Sequence, residues 1–350
     1  MENKETKKSK KSGFVTAAFF AFSLIVVAVI AIREFTGEKN RHIENPEFNF
    51  IYLLCGIGCF LLALLCESTK YSYLLRGKGI KNRRKIGFSC AVIGKYYDNL
   101  TPAGAGGQGF QIYHLKKNGC DDGTAGALPI IGFLTLQFSF VLIGILTMIM
   151  GRRYIEDVPA VRFTAIAGII FYAFIPVCII FFAIAPNILK SIVQGFTNLL
   201  GKVHILKHPE TAAQRAVDSL SSYTDSLKAF GRNTRQILVV SALSLIYQLA
   251  FMVLPYFVLR FFGAHMGLIE CFCKVVYIYA AIAVIFTPGN SGAAEVSFYT
   301  VFESLSGGEI FWGMLVWRAL CYYSWIAIGA VIQIRERIEE NKINKINRTP

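Results

Sequence analysis

The sequence predicts an all-α polytopic integral membrane protein with about six full spans and two re-entrant helical hairpins that enter from opposite faces as an inverted repeat. Three observations carry this. First, 54% of the 350 residues are hydrophobic and 17% charged, with a mean hydropathy of +0.49, outside the range of soluble domains. Second, the charges are bunched between uncharged runs close to the roughly 20 residues that a helix needs to cross a hydrocarbon core. Third, two Pro- and Gly-rich breaks interrupt apolar segments in the two halves of the chain, the mark of discontinuous helices around a midplane site.

The apolar runs lie at approximately 14–32, 48–66, 124–150, 163–185, 236–259 and 310–334, the last interrupted only by Arg318. The first follows a basic, polar N-terminus, residues 1–13. It is longer than a signal-peptide core and has no clear small-x-small site at its end, so it reads as a retained span.

Positive charge is retained on the cytoplasmic side. The N-terminus carries Lys4, Lys7, Lys8, Lys10 and Lys11, and residues 70–85 carry Lys70, Arg76, Lys78, Lys81, Arg83, Arg84 and Lys85 with no acidic residue. Both belong inside. Residues 33–47, with three basic and four acidic side chains, suit the outside, whereas residues 187–235, with seven basic and three acidic, belong inside. Both termini are therefore expected in the cytoplasm of a multi-pass cell-membrane protein, with residues 335–350 as a solvated, charge-alternating tail. The net charge of +14 is explained by this topology and by anionic lipid heads. No nucleic-acid motif accompanies it, so nucleic acid is not expected as a partner.

These assignments leave residues 86–117 beginning and ending inside and residues 268–306 beginning and ending outside, so each must go in and come back. Within them, Thr101-Pro102-Ala103-Gly104-Ala105-Gly106-Gly107 parallels Thr287-Pro288-Gly289-Asn290-Ser291-Gly292-Ala293. Such breaks free backbone donors that lipid cannot satisfy, and they must be buried in protein or line a wet cavity. A pair of Pro-kinked full spans is the alternative, and it requires the charge rule to fail twice. Between the halves, Ile188, Leu189, Ile192, Val193, Phe196, Leu199, Leu200 and Val203 recur at helical spacing, as in an amphipathic connector lying at the membrane surface over 187–235. The 14–334 segment is thus read as one transmembrane domain.

Ionisable groups inside membrane segments are costly, about 2.5 to 3.5 kcal/mol each, and so are candidates for function. Lys95 and Asp98 precede the first break, Glu295 follows the second, and Arg318 lies in the last span. Lys95 and Asp98 are three apart and could pair on a helix, or they could form a polar site for a headgroup. Arg318 has a fork suited to phosphate, or it could be neutralised by Glu295 or Asp98. Glu67 and Glu303 are expected at interfaces. Tyr96, Tyr97, Tyr113, Trp317, Tyr322 and Tyr323 could line an amphipathic cavity or form an interfacial aromatic belt.

No catalytic constellation is found. The glycines at 104, 106 and 107 do not form a phosphate-binding loop, His42, His114, His204, His208 and His265 are scattered, and Ser291 has no G-x-S-x-G context. Of nine cysteines, Cys55, Cys59, Cys66, Cys90, Cys178 and Cys321 lie in apolar runs, and Cys271 with Cys273 has no second ligand pair. No cofactor or metal is expected.

The stretch from Gly94 through Lys95, Tyr96, Tyr97, Asp98, Asn99, Leu100 and Thr101 to Gly109-Phe110-Gln111-Ile112-Tyr113, the stretch from Thr287 to Glu295, and Trp317-Arg318 with Tyr322-Tyr323 resemble the lysylphosphatidylglycerol synthase transmembrane, or flippase-like, family. The resemblance covers nearly the whole chain. In two-part members, the multiple peptide resistance factors, such a region moves aminoacylated phosphatidylglycerol to the outer leaflet while a cytosolic domain transfers lysine from its tRNA. It therefore implies lipid translocation, with membrane lipids (an anionic or aminoacylated phospholipid, a glycolipid or a polyprenyl phosphate) as partners. It also raises a separate soluble synthase and a homo-oligomer as possible associations. The substrate-contacting positions it implies are Lys95, Tyr97, Asp98, Asn99, Thr101, Pro102, Gly104, Gly106, Gly107, Gln108 and Gln111 in the first motif. In the second they are Thr287, Pro288, Gly289, Ser291, Gly292 and Glu295, joined by Trp317, Arg318 and Tyr322 in the last span. The chain departs from the two-part proteins by ending at Pro350, about sixteen residues after the last span, so lysyl transfer by this polypeptide alone is not expected. Gly109, where many relatives have Pro, is expected to loosen the first break. The rival classes are a membrane subunit of an aminoacyl-lipid or glycolipid synthase and a secondary transporter of a small solute.

Overall fold

The computed structural model describes residues 48–101, 106–154, 159–185, 187–188, 191–192, 195, 228–285, 290, 292–305 and 307–346. Among these the regular elements are all helical: α1 (Phe50–Leu74), α2 (Arg83–Leu100), α3 (Gly107–Lys117), α4 (Asp122–Met150), α5 (Pro159–Ile184), α6 (Thr234–Phe261), α7 (Leu268–Ile282), α8 (Ala293–Val301), α9 (Gly307–Arg318) and α10 (Ser324–Ile346). Five helical stretches are long and apolar enough to cross a membrane: Phe50–Leu74, Asp122–Met150, Pro159–Phe182, Thr234–Phe261 and Gly308–Glu339. The chain is a polytopic all-α membrane protein. The expected first span at 14–32 and most of the expected connector lie outside the described residues.

Polar caps start the long helices. Asn49 Oδ1 accepts from the Ile51 N–H at 3.2 Å, Asp121 Oδ2 from Thr124 at 2.9 Å, and Asn233 Oδ1 from Gln236 at 3.0 Å, each satisfying a donor that the first helical turn leaves open. Between caps, α4 and α5 are almost wholly apolar, and outward side chains such as Phe163, Ile170, Phe174 and Val177 are exposed. In water that would be a liability; against acyl chains it is the expected outer face.

Helices α1 and α6 pack on each other as an antiparallel pair. The Asn49 N–H donates to Phe261 O at 3.1 Å, and the Phe48 and Phe261 rings lie 5.4 Å apart. Around this pair the two broken segments fold into helical hairpins. In the first, Gln111 Nε2 donates to Cys90 O at 3.0 Å, and the Gly107 N–H donates to Asp98 Oδ1 at 2.9 Å, so α3 runs back along α2. A Cβ at Gly107 would collide with Asp98 and with the Gly94 carbonyl, so only glycine permits this approach. In the second, Lys274 Nζ near the start of α7 lies 5.7 Å from the ring of Phe302, just past the end of α8. Helices of 11 and 9 residues, α3 and α8, reach only about 16 and 14 Å, well short of a bilayer core.

The open ends of the hairpins lie at opposite ends of α4. Lys116 pairs with Asp122 at its start (2.9 Å), and just past its end Gly151 lies so close to Cys273, in the second turn of α7, that a Cβ on Gly151 would meet the Cys273 Sγ at 2.6 Å. Packing is reciprocal: α2 lies on α1 and α10, whereas α7 lies on α5, α6 and α4.

The last apolar run is one continuous helical stretch with a π-helical turn over Ala319–Tyr323 joining α9 to α10. Ser324 seals it, since both its N–H and its Oγ reach the Ala319 carbonyl, the latter at 2.8 Å. Such a turn re-aims the side chains beside it and is frequent at functional sites.

Three expectations are corrected. Lys70 is not a loop cation but lies within α1, 0% exposed, and Glu67 is 2% exposed rather than interfacial; the two pair at 2.7 Å, which makes their burial tolerable. The tail is not simply solvated either. Glu336 reaches His114 Nδ1 at 3.3 Å and Lys117 Nζ at 3.6 Å, so the middle of α10 holds the base of the first hairpin.

Candidate functional site

A cavity of about 260 Å³ lies between the helix ends that flank both breaks and the facing sides of α1, α4, α6 and the last span. The first hairpin contributes Gly94, Lys95, Asp98, Asn99, Gln108 and Gln111, and the second contributes Asn290 and Ala294. From the last span come Trp317, Arg318, Cys321, Tyr322 and Trp325. These last positions sit at helical spacing across the π turn, so the re-aimed segment presents one polar and aromatic stripe to the cavity.

Each charged group reaches its place by a different device. Arg318, 6% exposed, donates from Nε to Glu295 Oε1 at 2.7 Å. Glu295 Oε2 accepts the Gly292 N–H at 2.7 Å, which satisfies the start of α8. This turn needs left-handed backbone at Asn290 (φ 54°) and Gly292 (φ 84°), which explains its Asn and Gly content. Arg318 also lies over the Tyr322 ring, 4.9 Å from the centroid, while its buried Nη2 has no hydrogen-bond acceptor among the described residues. Tyr322 Oη in turn donates to Asn99 O at 3.2 Å, tying the last span to the first hairpin.

Lys95 and Asp98 do not form an ion pair within 4.0 Å, contrary to one of the two expectations for them; Lys95 Nζ instead lies 5.1 Å from the centroid of the Tyr247 ring. The Asp98 carboxylate caps α3 through Gly107. Arg318 takes the other route, with Glu295 rather than Asp98 as its partner.

The positions the resemblance implied divide into three groups. Lys95, Asp98, Asn99, Gln108, Gln111, Trp317, Arg318 and Tyr322 line the cavity. Tyr97, Thr101, Gly106, Gly107, Gly292 and Glu295 do not, because they hold the frame. Tyr97 stacks on Phe110, Thr101 Oγ1 accepts the Gly106 N–H at 2.9 Å, and Glu295 braces Arg318 from behind. Pro102, Gly104, Thr287, Pro288, Gly289 and Ser291 lie outside the described residues.

Sequence reasoning missed Glu67, Gln137, Tyr172, Tyr247, Gln248 and Tyr279, all of which line the cavity. Gln137 and Gln248 had a readable signal, since each is an amide deep in an apolar run, costly in lipid unless it faces a polar interior. The tyrosines had none, because a ring in a span serves a core equally well.

No curated protein matches this sequence. The region described as the transmembrane region of lysylphosphatidylglycerol synthase matches residues 15–329 and takes in every residue that lines the cavity. The chain therefore belongs to the lysylphosphatidylglycerol synthase transmembrane-region family.

Proposed function

We propose that the protein moves a polar-headed membrane lipid between leaflets, with the headgroup passing through the central cavity and the acyl chains remaining in the bilayer. The observation that supports this most strongly is the meeting of two hairpins from opposite ends of the bundle at one cavity with charged walls, inside an otherwise apolar helical body. Placing the half-buried Lys95 and Asp98 beside the buried Glu67 and Arg318 there costs stability that a purely structural bundle would avoid. In this reading the hairpins are re-entrant, their broken tips lie near the midplane, and the clustered Arg83, Arg84, Lys85, Lys116 and Lys117 face the cytoplasm.

Lys95 and Arg318 would attract the phosphate, Asp98 would attract an ammonium, and the aromatic walls would accommodate the glycerol and upper acyl segments. Aminoacyl transfer is not part of the proposed role. The test is reconstitution of purified protein into liposomes holding trace acyl-chain-labelled phosphatidylethanolamine, with dithionite quenching of the label in the outer leaflet. Faster loss of the inner-leaflet label than in protein-free liposomes is expected, with a large reduction in Asp98→Asn. Full transport by Asp98→Ala and Arg318→Ala proteins that insert normally would overturn the site assignment.

A further inference from the structure

We infer that the cavity selects a headgroup carrying one phosphodiester and one ammonium over a purely anionic phospholipid and over a head bearing two ammonium groups. This rests on the lipid-translocation reading and names the substrate class of that same site.

Among the described residues, the charged side chains lining the cavity are Glu67, Lys95, Asp98 and Arg318. Two of these are already closed into pairs with residues behind the wall. Glu67 is held by Lys70 at 2.7 Å, and Lys70 Nζ also donates to Gly132 O at 3.3 Å. Arg318 is held by Glu295 at 2.7 Å. The remaining two, Lys95 and Asp98, are one acid and one base on the same helix that do not touch. Lys95 lies against the Tyr247 ring, which positions a cation without cancelling its charge, and Asp98 is anchored on the Gly107 N–H.

An opposite-charge pair held apart in a weakly screened interior suits a ligand of reversed polarity. The ligand's ammonium goes to Asp98 and its phosphate oxygens to Lys95. Arg318 Nη2, buried without an acceptor, adds a donor for a second phosphate oxygen. A head with a second ammonium finds no free carboxylate among the described residues, because Glu67 and Glu295 are engaged. A head with only a phosphodiester leaves Asp98 uncompensated beside a like charge. Either mismatch strands a desolvated charge, and that penalty is how such a site discriminates.

The test is native mass spectrometry of the full-length protein in detergent with an equimolar mixture of three lipids. Phosphatidylethanolamine has one ammonium, phosphatidylglycerol has none, and lysylphosphatidylglycerol has two. Wild type is expected to retain phosphatidylethanolamine about tenfold over either competitor. Asp98→Asn, which keeps an oxygen for the Gly107 N–H, should shift the preference to phosphatidylglycerol, and Lys95→Met should shift it to lysylphosphatidylglycerol. Neither variant disturbs the Glu67–Lys70 or Glu295–Arg318 pair, and a rank order needs only the folded fraction. Equal retention of the three lipids, best retention of lysylphosphatidylglycerol by wild type, or an unchanged order in both variants would overturn the inference. The same lipids, acyl-labelled, in the liposome assay separate the two claims. The expected binding order without transport of any lipid would sink translocation and leave the charge selection standing.

Discussion

Glu295 and Arg318 are joined by a 2.7 Å hydrogen-bonded ion pair between the first turn of α8 and the end of α9, both side chains almost wholly buried. The same carboxylate caps the Gly292 N–H, so one acid fixes both the second hairpin and the cavity's arginine.

Glu295→Ala is therefore expected to destabilise the protein by about 3 to 5 kcal/mol, because it strands a buried guanidinium. The double variant Glu295→Leu with Arg318→Met should recover most of that stability while losing lipid retention. Thermal unfolding in detergent with parallel native mass spectrometry reads both. A double variant no more stable than the single would show that the pair's charge is not the issue.

Two helix crossings depend on absent side chains. A Cβ at Gly329 would come within 2.5 Å of Tyr96 Cβ, where α10 crosses α2, and one at Gly168 would overlap the Ala280 carbonyl, where α5 crosses α7. Overpacking of this kind costs about 1 to 3 kcal/mol. Gly168→Ala should be the more damaging of the two, since it meets a backbone carbonyl oxygen at closer range than Gly329 meets Tyr96. Melting temperatures of the two variants compared with wild type check the order.

The Asp121 carboxyl, outside the spans, is held below its ordinary value of 3.8 by the Thr124 N–H it caps. A depressed folded value means a contribution that is complete above 3.8 and is lost as the pH falls through the lower folded value. Asp121→Ala should cost about 1 kcal/mol at neutral pH and progressively less in acid. A difference that grew on acidification would contradict this sign.

Glu336 joins the middle of α10 to His114 and Lys117 on α3. Glu336→Gln should release the base of the first hairpin, seen as faster amide hydrogen exchange over residues 107–117 with little change in α7 and α8. Equal exchange in the two proteins would mean that helix packing alone holds the hairpin.

Much of the architecture was legible in the sequence for one reason: in a membrane the rules are few. Five of the apolar runs became helices long enough to span, and both Pro- and Gly-rich breaks fall between paired helices, because apolar length and helix-breaking residues act locally. Charge reading was less secure near helix ends. Lys70 looked like a loop cation because it opens the basic cluster over 70–85, although Glu67, three residues earlier, has the same spacing as Lys95 and Asp98.

The class of fold, the order of the apolar runs and breaks, and three of the four charges that line the cavity, Lys95, Asp98 and Arg318, could be read from the sequence. Only the tertiary structure decided how those charges are spent. Arg318 had two candidate carboxylates, and the choice of Glu295 follows from the packing of α8 against α9. Lys95 and Asp98 had the spacing to pair, yet Tyr247 from α6 and Gly107 from α3 hold them apart. Pairing energies of a few kcal/mol turn on separations of an ångström or two in a weakly screened interior, and those separations are set by helices distant in sequence.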